Sequence, residues 1–346
     1  MRHKTKEIKI GNIKIGANNP IAVQSMTNTL TKDADKTIKQ ILSLEEAGCE
    51  IIRVSVPDKE SLASLKKIKS NINIPLVADI HYDHKLAIES AKYVDKLRIN
   101  PGNICKKNII DIIKAAKNHS IPIRIGVNIG SIEKEIEKKY GHSAIAMVES
   151  ALKSIVFFES LDFTDIVLSL KSSDILQTIE AYKLISEKTN YPLHLGITES
   201  GTQFSGTIKS SVGLGILLSQ GIGDTIRVSL SSDPIEEVKV AWQILKSLNI
   251  RKRGINIISC PTCARTTLDV INISKKIENS TLNITKPLTI AIMGCNVNGP
   301  GEAKNSDLGI VGGDKLHLLY KNGKIIDKIK DNEIHDRLMK EINSLK

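Results

Sequence analysis

The sequence predicts an N-terminal (β/α)8 barrel of the TIM type over residues 1–250, followed by a small α+β domain over residues 251–346. Three observations carry this expectation. From residue 20 to about 248, short β-rich runs alternate with amphipathic helical runs. Along the β-rich runs, aliphatic residues occupy one face and charged residues the other. After Asn249 the alternation stops, and cysteine, glycine and proline punctuate the chain.

The β-rich runs are IAVQSM (21–26), IIRVSV (51–56), PLVADIH (75–81), KLRINP (96–101), PIRIGVN (122–128), DIVLSLK (165–171), PLHLGIT (192–198) and TIRVSL (225–230). Between them, stretches such as DADKTIKQILSLEEAG and SDPIEEVKVAWQILKSL carry apolar residues at helical spacing. Eight β–α units in series argue for a closed barrel. The alternative is a doubly wound open sheet, but the glycine-rich GLGILLSQGIGD does not fit G-x-G-x-x-G spacing.

Strand side chains alternate between faces. In IIRVSV, Ile52, Val54 and Val56 share one face, and Arg53 and Ser55 share the other. The same split groups Arg98 with Asn100, Arg124 with Asn128, Ser169 with Lys171, and Asp79 with His81. It also groups His194 with Thr198 and Arg227 with Ser229. The aliphatic face meets the helices, so the charged face points into the barrel, where apolar residues usually fill the layers. A buried arginine is costly without a counter-charge. Here four arginines and one lysine converge against Asp79 and Glu199 as inward carboxylates. The surplus asks for an anion, and guanidinium forks around one site suit a diphosphate.

Apolar content of 41% and charged content of 25% describe an ordinary globular chain. The net charge of +11 is spread over helix surfaces, and aromatic residues make up only 3%, leaving few rings to stack bases. The charge therefore reads as compositional, and no nucleic acid is expected as a partner. The N-terminal MRHKTKEIKIGNIKIG has no apolar core of a signal peptide, and no run reaches membrane-span length. A cytoplasmic protein without a membrane partner is expected, and there five cysteines suggest metal or redox chemistry before disulfides.

In the C-terminal part, Cys260 and Cys263 form a C-x-x-C, and 31 residues later comes GCNVNGPGE with Cys295 and Glu302. Three thiols and one oxygen donor suit zinc or an iron–sulfur cluster. The absence of histidine between Cys260 and Glu302 favours iron–sulfur, because structural zinc sites are usually closed by four Cys or His. Glu302 would then fill the one exchangeable position, while glycines let backbone N–H groups approach the sulfurs. Cys49 and Cys105 read as packing thiols in the helical layer. The runner-up is a basic nucleic-acid-binding protein with a zinc knuckle.

The motifs CPTCAR (260–265), MGCNVNGPGEAKNSDLGIVGG (293–313), VQSMTNT (23–29) and RIGVNIGS (124–131) resemble the family of bacterial 4-hydroxy-3-methylbut-2-en-1-yl diphosphate synthases. The resemblance covers nearly the whole chain; Ala264 and Asn296 depart from the usual Gly and Val, neither at a ligand position. The inserted middle domain of the plant-like form is not present. The resemblance implies a [4Fe-4S] cluster on Cys260, Cys263, Cys295 and Glu302, and a barrel that binds 2-C-methyl-D-erythritol 2,4-cyclodiphosphate. It also implies reduction by flavodoxin or ferredoxin in the methylerythritol phosphate route to isoprenoids. Carried over position by position, Arg53, Arg98, Arg124, Lys171, Arg227 and Ser229 hold the diphosphate, with Asn128 nearby and Glu199 as proton donor. Asp79 and His81 are expected at the same site.

The final barrel helix runs antiparallel to the strands and ends at the face opposite the mouth. About eight residues, Asn249 to Asn256, lead on from there, spanning at most roughly 28 Å. That is too short to bring a chain's own cysteines to its own mouth, so a head-to-tail homodimer is expected, as the resemblance also implies.

Overall fold

The computed structural model describes residues 2–345, and the chain divides into two compact units, Met1–Arg251 and Lys252–Lys346.

The first unit opens with a hairpin, β1 (Ile8–Ile10) and β2 (Ile13–Ile15). Eight parallel strands follow: β3 (Ala22–Met26), β4 (Ile51–Ser55), β5 (Leu76–Asp79), β6 (Lys96–Ile99), β7 (Ile123–Asn128), β8 (Ile166–Lys171), β9 (His194–Leu195) and β10 (Thr225–Ile226). The helices of this unit are α1 (Ala34–Ala47), α2 (Lys59–Ser70), α3 (His84–Ser90), α4 (Lys106–Asn118), α5 (Lys134–Tyr140), α6 (Ala144–Glu159), α7 (Ile175–Lys188), α8 (Gln203–Ser219) and α9 (Pro234–Ser247). The sheet order is β8-β7-β6-β5-β4-β3-β10-β9. A parallel bridge between Leu168 and Leu193, with Leu168 N–H donating to Pro192 O over 2.9 Å, joins its two ends. This is the (β/α)8 barrel that the alternation predicts, and the open-sheet alternative is excluded.

Helix starts are set by side-chain caps: Asp33, Asp58, Asp83, Ser143, Asp174 and Asp233 each accept an N–H from the first turn of the helix that follows. The aliphatic strand face packs where the sequence places it, with Ile52, Val54 and Val56 in one core with Leu44, Leu65 and Leu97. Cys49 joins this core, and burial pushes its thiol up to about 12. Cys105 does not: it is exposed at the start of α4, because the chain there is leaving the barrel rim rather than packing beneath it.

The N-terminal hairpin forms the barrel floor, a role its short alternation does not signal. Ile8, Ile10 and Ile15 of the hairpin pack on Ala22, Ile51, Val77 and Val167 from the N-terminal ends of the strands. Gly11, at a φ of +56, makes the two-residue turn that brings Ile10 opposite Ile13.

Two strands are shorter than the sequence suggests. PLHLGIT and TIRVSL retain ladder pairing only at His194–Leu195 and Thr225–Ile226. Beyond these residues, side chains from the helical layer enter the wall. Tyr182 of α7 sits in the seam between β8 and β9, where its hydroxyl accepts from Leu170 N (3.2 Å) and donates to His194 O (2.6 Å). A hydroxyl thus supplies partners that a neighbouring strand would otherwise supply.

The second unit is a five-stranded mixed sheet, β11 (Ile255–Ser259), β12 (Leu288–Met293), β13 (Leu308–Val311), β14 (His317–Lys321) and β15 (Lys324–Ile329), in that order. The first three strands are parallel and the last two antiparallel. Helices α10 (Val270–Ser280) and α12 (Ile334–Ser344) pack Ile277, Leu338 and Ile342 against Ile290, Ile292 and Ile310. The short α11 (Gly299–Lys304) sets Ala303 against Ala291, Met293 and Val311 in a separate cluster. This is the small α+β domain that the sequence predicts.

Candidate active site

The barrel lumen is built by alternation. Register places Asp79, Arg98 and Arg124 side by side on β5, β6 and β7, and Lys171 beside Asn128 on β8 and β7. Arg53, Lys96, Arg98, Arg124 and Lys171 are all buried, and Arg227 is mostly so. Arg98 donates to Asp79 Oδ1 (2.9 Å) and contacts His81 Nε2 (2.8 Å) through the same nitrogen. Arg53 Nε lies 3.7 Å from Asp79 Oδ2. Burial opposes ionisation of Asp79, but the Arg53 charge, the His81 hydrogen bond and the Arg98 charge hold its carboxyl well below the usual range.

The structure corrects the reading of the second carboxylate. Glu199 is exposed and takes a φ of +53, because β9 has ended four residues earlier at Leu195 and the alternation no longer applies. Besides Asp79, the carboxylate buried against these cations is Glu237 of α9, within 3.3 Å of Arg227 Nη2; Asp224, also buried, is held by Arg2, Thr5 and Leu193 N instead. Asn128 and Ser229 are half-buried, at the end of β7 and in the loop after β10, and Ser229 O accepts from Ser200 Oγ.

Arg124 is the centre of the imbalance. It is 1% exposed, has no carboxylate partner among the described residues, and its Nε and Nη1 find no acceptor. Arg98 Nε and Arg227 Nε are also buried without partners. Lys96, fully buried, makes among the described residues only a long 3.4 Å contact with Gln24 Oε1 across the lumen. Burial, then the neighbouring basic side chains, hold Lys96 and Lys171 well below the usual lysine range and His194 well below the usual histidine range. Among the described residues, six basic side chains thus face Asp79 and Glu237, and the unpartnered Nε and Nη1 atoms of Arg98, Arg124 and Arg227 are donors. Two glycines keep room for them: a Cβ on Gly126 would lie 2.7 Å from Arg98 Nε, and one on Gly196 would lie 2.6 Å from Lys171 Nζ. Such a lumen is preorganised for an anion with several oxygens.

Lys96, Gln24 and Glu237 are missing from the sequence reading. Lys96 and Gln24 share faces with Arg98 and Met26, so strict alternation includes them. Glu237 lies between the surface ion-pair partners Glu236 and Lys239 at a helix start and carries no such signal.

In the second unit, Cys260 and Cys263 follow β11, and Cys295 follows β12, its parallel neighbour. The three thiols are free, and Gly294 N donates to Cys260 Sγ over 3.1 Å. A hydrogen bond from Arg265 N lowers the Cys263 thiol below its ordinary value. Gly294 and Gly312 pack with no room for a Cβ: one on Gly312 would lie 2.3 Å from Gly294 O. Glu302 is exposed on α11, in its first turn. Among the described residues no three His, Cys, Asp or Glu are gathered closely enough to hold a metal ion. The donor set nevertheless fits an iron–sulfur cluster, with soft thiols on adjacent strand ends and backbone N–H groups aimed at sulfur.

Fold and site together define a two-domain barrel protein with a lumen lined by basic side chains and a thiol-bearing α+β domain. Residues 5–242 match the GcpE TIM-barrel domain, and residues 256–344 match the GcpE protein C-terminal domain. The chain belongs to the GcpE family. It is 59% identical to the 4-hydroxy-3-methylbut-2-en-1-yl diphosphate synthase (flavodoxin) of Caldanaerobacter subterraneus subsp. tengcongensis, covering 100% of this chain and 98% of that one. Proteins of the same name from Ruminiclostridium cellulolyticum and Clostridium acetobutylicum are 54% and 51% identical, each over 99% of this chain and 98% and 99% of theirs. Among solved structures, dihydropteroate synthase from Stenotrophomonas maltophilia shares 11% identity at a TM-score of 0.54, covering 70% of this chain and 99% of that one. N-acetylneuraminic acid synthetase from Leptospira borgpetersenii shares 15% at 0.53, covering 81% and 99%. At those identities the likeness is one of fold.

Proposed function

We propose that this chain is a 4-hydroxy-3-methylbut-2-en-1-yl diphosphate synthase. It carries out the two-electron reductive ring opening of 2-C-methyl-D-erythritol 2,4-cyclodiphosphate, with loss of water. The observation that carries the reading is the unbalanced cationic lumen, in a chain 59% identical over its whole length to a protein of that name. The nucleic-acid alternative gains no support from fold or relatives.

The division of labour follows from the residues. Arg53, Arg98, Arg124, Lys171 and Arg227 bind the diphosphate, whose oxygens satisfy the donors now unpartnered on Arg98, Arg124 and Arg227. Asn128 and Ser229 orient the substrate from the mouth. Asp79 and His81 fix Arg98. Glu199, exposed at the mouth end of the β9 segment, supplies a proton. Cys260, Cys263, Cys295 and Glu302 would hold a [4Fe-4S] cluster. When bound, that cluster supplies electrons one at a time and an open iron position.

Reduced flavodoxin is the proposed donor, as in the relatives' names, with ferredoxin as the alternative. Among the described residues no helix is long and apolar enough to cross a membrane. A cytoplasmic location is proposed on the likeness to the relatives. A head-to-tail homodimer completes each site. It is supported by the pinning of Arg251, just past α9, to Glu50 (2.6 Å) and Ile21 O (2.7 Å) next to the N-terminal ends of β4 and β3. Only seven residues separate α9 from β11.

The test is iron and sulfide analysis after anaerobic reconstitution, on wild type and Cys295→Ser. Wild type is expected to bind iron and sulfide in equal amounts and turn brown, and Cys295→Ser to lose most of both. Zinc in a colourless wild type would overturn the proposal.

A further inference from the structure

We infer that Glu237 is a positioning residue that sets Arg227 and the Ser229 loop as one unit for the anion; this rests on the diphosphate reading above. The carboxylate comes from the helical layer, on the first turns of α9, yet it is 4% exposed and reaches the seam between β3 and β10. Those strands pair only at Ala22–Thr225 and Val23–Ile226. Above that point Glu237 takes over. Its oxygens accept from Ser25 Oγ of β3 (3.1 Å), from Leu230 N (3.0 Å) and from Arg227 Nη2 (3.3 and 3.5 Å).

The pattern at Arg227 shows what this arrangement accomplishes. One nitrogen of the guanidinium is anchored on Glu237, while Nε is buried without a partner. Arg98 is arranged the same way, with Nη1 on Asp79 and Nε unpartnered. A carboxylate on one edge fixes the plane of the fork and leaves other donors for a ligand. Glu237 also holds Leu230 N, the residue after Ser229, so Arg227 and Ser229 are tied to one anchor. Its neighbour Glu236 instead pairs with Lys239 at 2.7 Å on the surface, so the two adjacent acids do different work.

A purely charge-balancing role makes the opposite prediction. Removing a negative charge from a cationic lumen should strengthen anion binding, whereas removing an anchor should weaken it. The experiment measures calorimetric affinity for inorganic pyrophosphate and for the cyclic diphosphate in Glu237→Ala, Glu237→Gln, Arg227→Ala and the double variant Glu237→Ala/Arg227→Ala. Glu237→Ala is expected to weaken binding about tenfold, roughly 1.4 kcal/mol. Glu237→Gln, which keeps an acceptor for Leu230 N, should recover part of the loss. In the Arg227→Ala background, Glu237→Ala should add less than about twofold, since residues acting as one unit are non-additive. Tighter binding in Glu237→Ala, or full additivity with Arg227→Ala, would overturn the inference while leaving the diphosphate reading intact. Unchanged affinity in Arg227→Ala alone would overturn both.

Discussion

Arg98 donates to Asp79 Oδ1 across 2.9 Å with both side chains buried, and Arg53 shares the same carboxylate. Asp79→Asn therefore leaves two buried guanidinium groups uncompensated, a change costing about 3–5 kcal/mol. The pH dependence has a definite sign. The folded carboxyl is depressed, so its contribution is complete above the unfolded value of about 3.9 and is lost as pH falls through the lower folded value. Urea titrations should show a constant gap between wild type and Asp79→Asn near neutrality that closes only below about pH 4. A gap that closes nearer pH 6 would contradict the pairing.

Lys171 reports on the anion. Burial first, then Arg124 and Arg227, hold its ammonium well below the usual range, and a diphosphate reverses the local field. Diphosphate binding should then be accompanied by net proton uptake at mildly alkaline pH. Calorimetry in two buffers of different ionisation enthalpy measures the uptake, and Lys171→Met should reduce it. Equal uptake in the variant would remove Lys171 from the site.

Tyr182→Phe tests the seam. It strips Leu170 N and His194 O of their partner and should cost about 1–3 kcal/mol in urea denaturation. An unchanged midpoint would mean that the strands close without the hydroxyl.

These contacts show where sequence reasoning reaches and where it stops. Alternation in IIRVSV and PIRIGVN places Arg53 and Arg124 inside because long parallel strands make period two physical, and both are buried there. It fails at Glu199 because β9 is only two residues long, and nothing in PLHLGIT announces that Tyr182 and a shortened ladder intervene. The hairpin IKIGNIKIG alternates too, but each strand is three residues and lysine-rich, so its role as the barrel floor emerges only from tertiary packing. Glu237 was illegible for a similar reason: acidic residues in a helix first turn are ordinarily solvated companions of the helix dipole. The cysteine motifs are legible in full as motifs, while spacing alone does not encode how closely Cys260, Cys263 and Cys295 approach one another.

The homodimer proposal is tested by complementation. Arg124→Ala and Cys295→Ser are each expected to be nearly inactive alone. Co-expressed with random pairing, they should recover roughly a quarter of wild-type activity if each site draws on two chains. A mixture as inactive as its components would place each site within a single chain.

The most direct measurement follows the phosphorus NMR spectrum of the cyclic diphosphate incubated anaerobically with cluster-reconstituted protein and reduced flavodoxin. The account predicts that the cyclic diphosphate resonances give way to those of a linear diphosphate ester, and that Arg124→Ala of equal iron content slows the conversion by at least about tenfold. Iron- and sulfide-replete wild type that binds the cyclic diphosphate but leaves it unchanged would contradict the account.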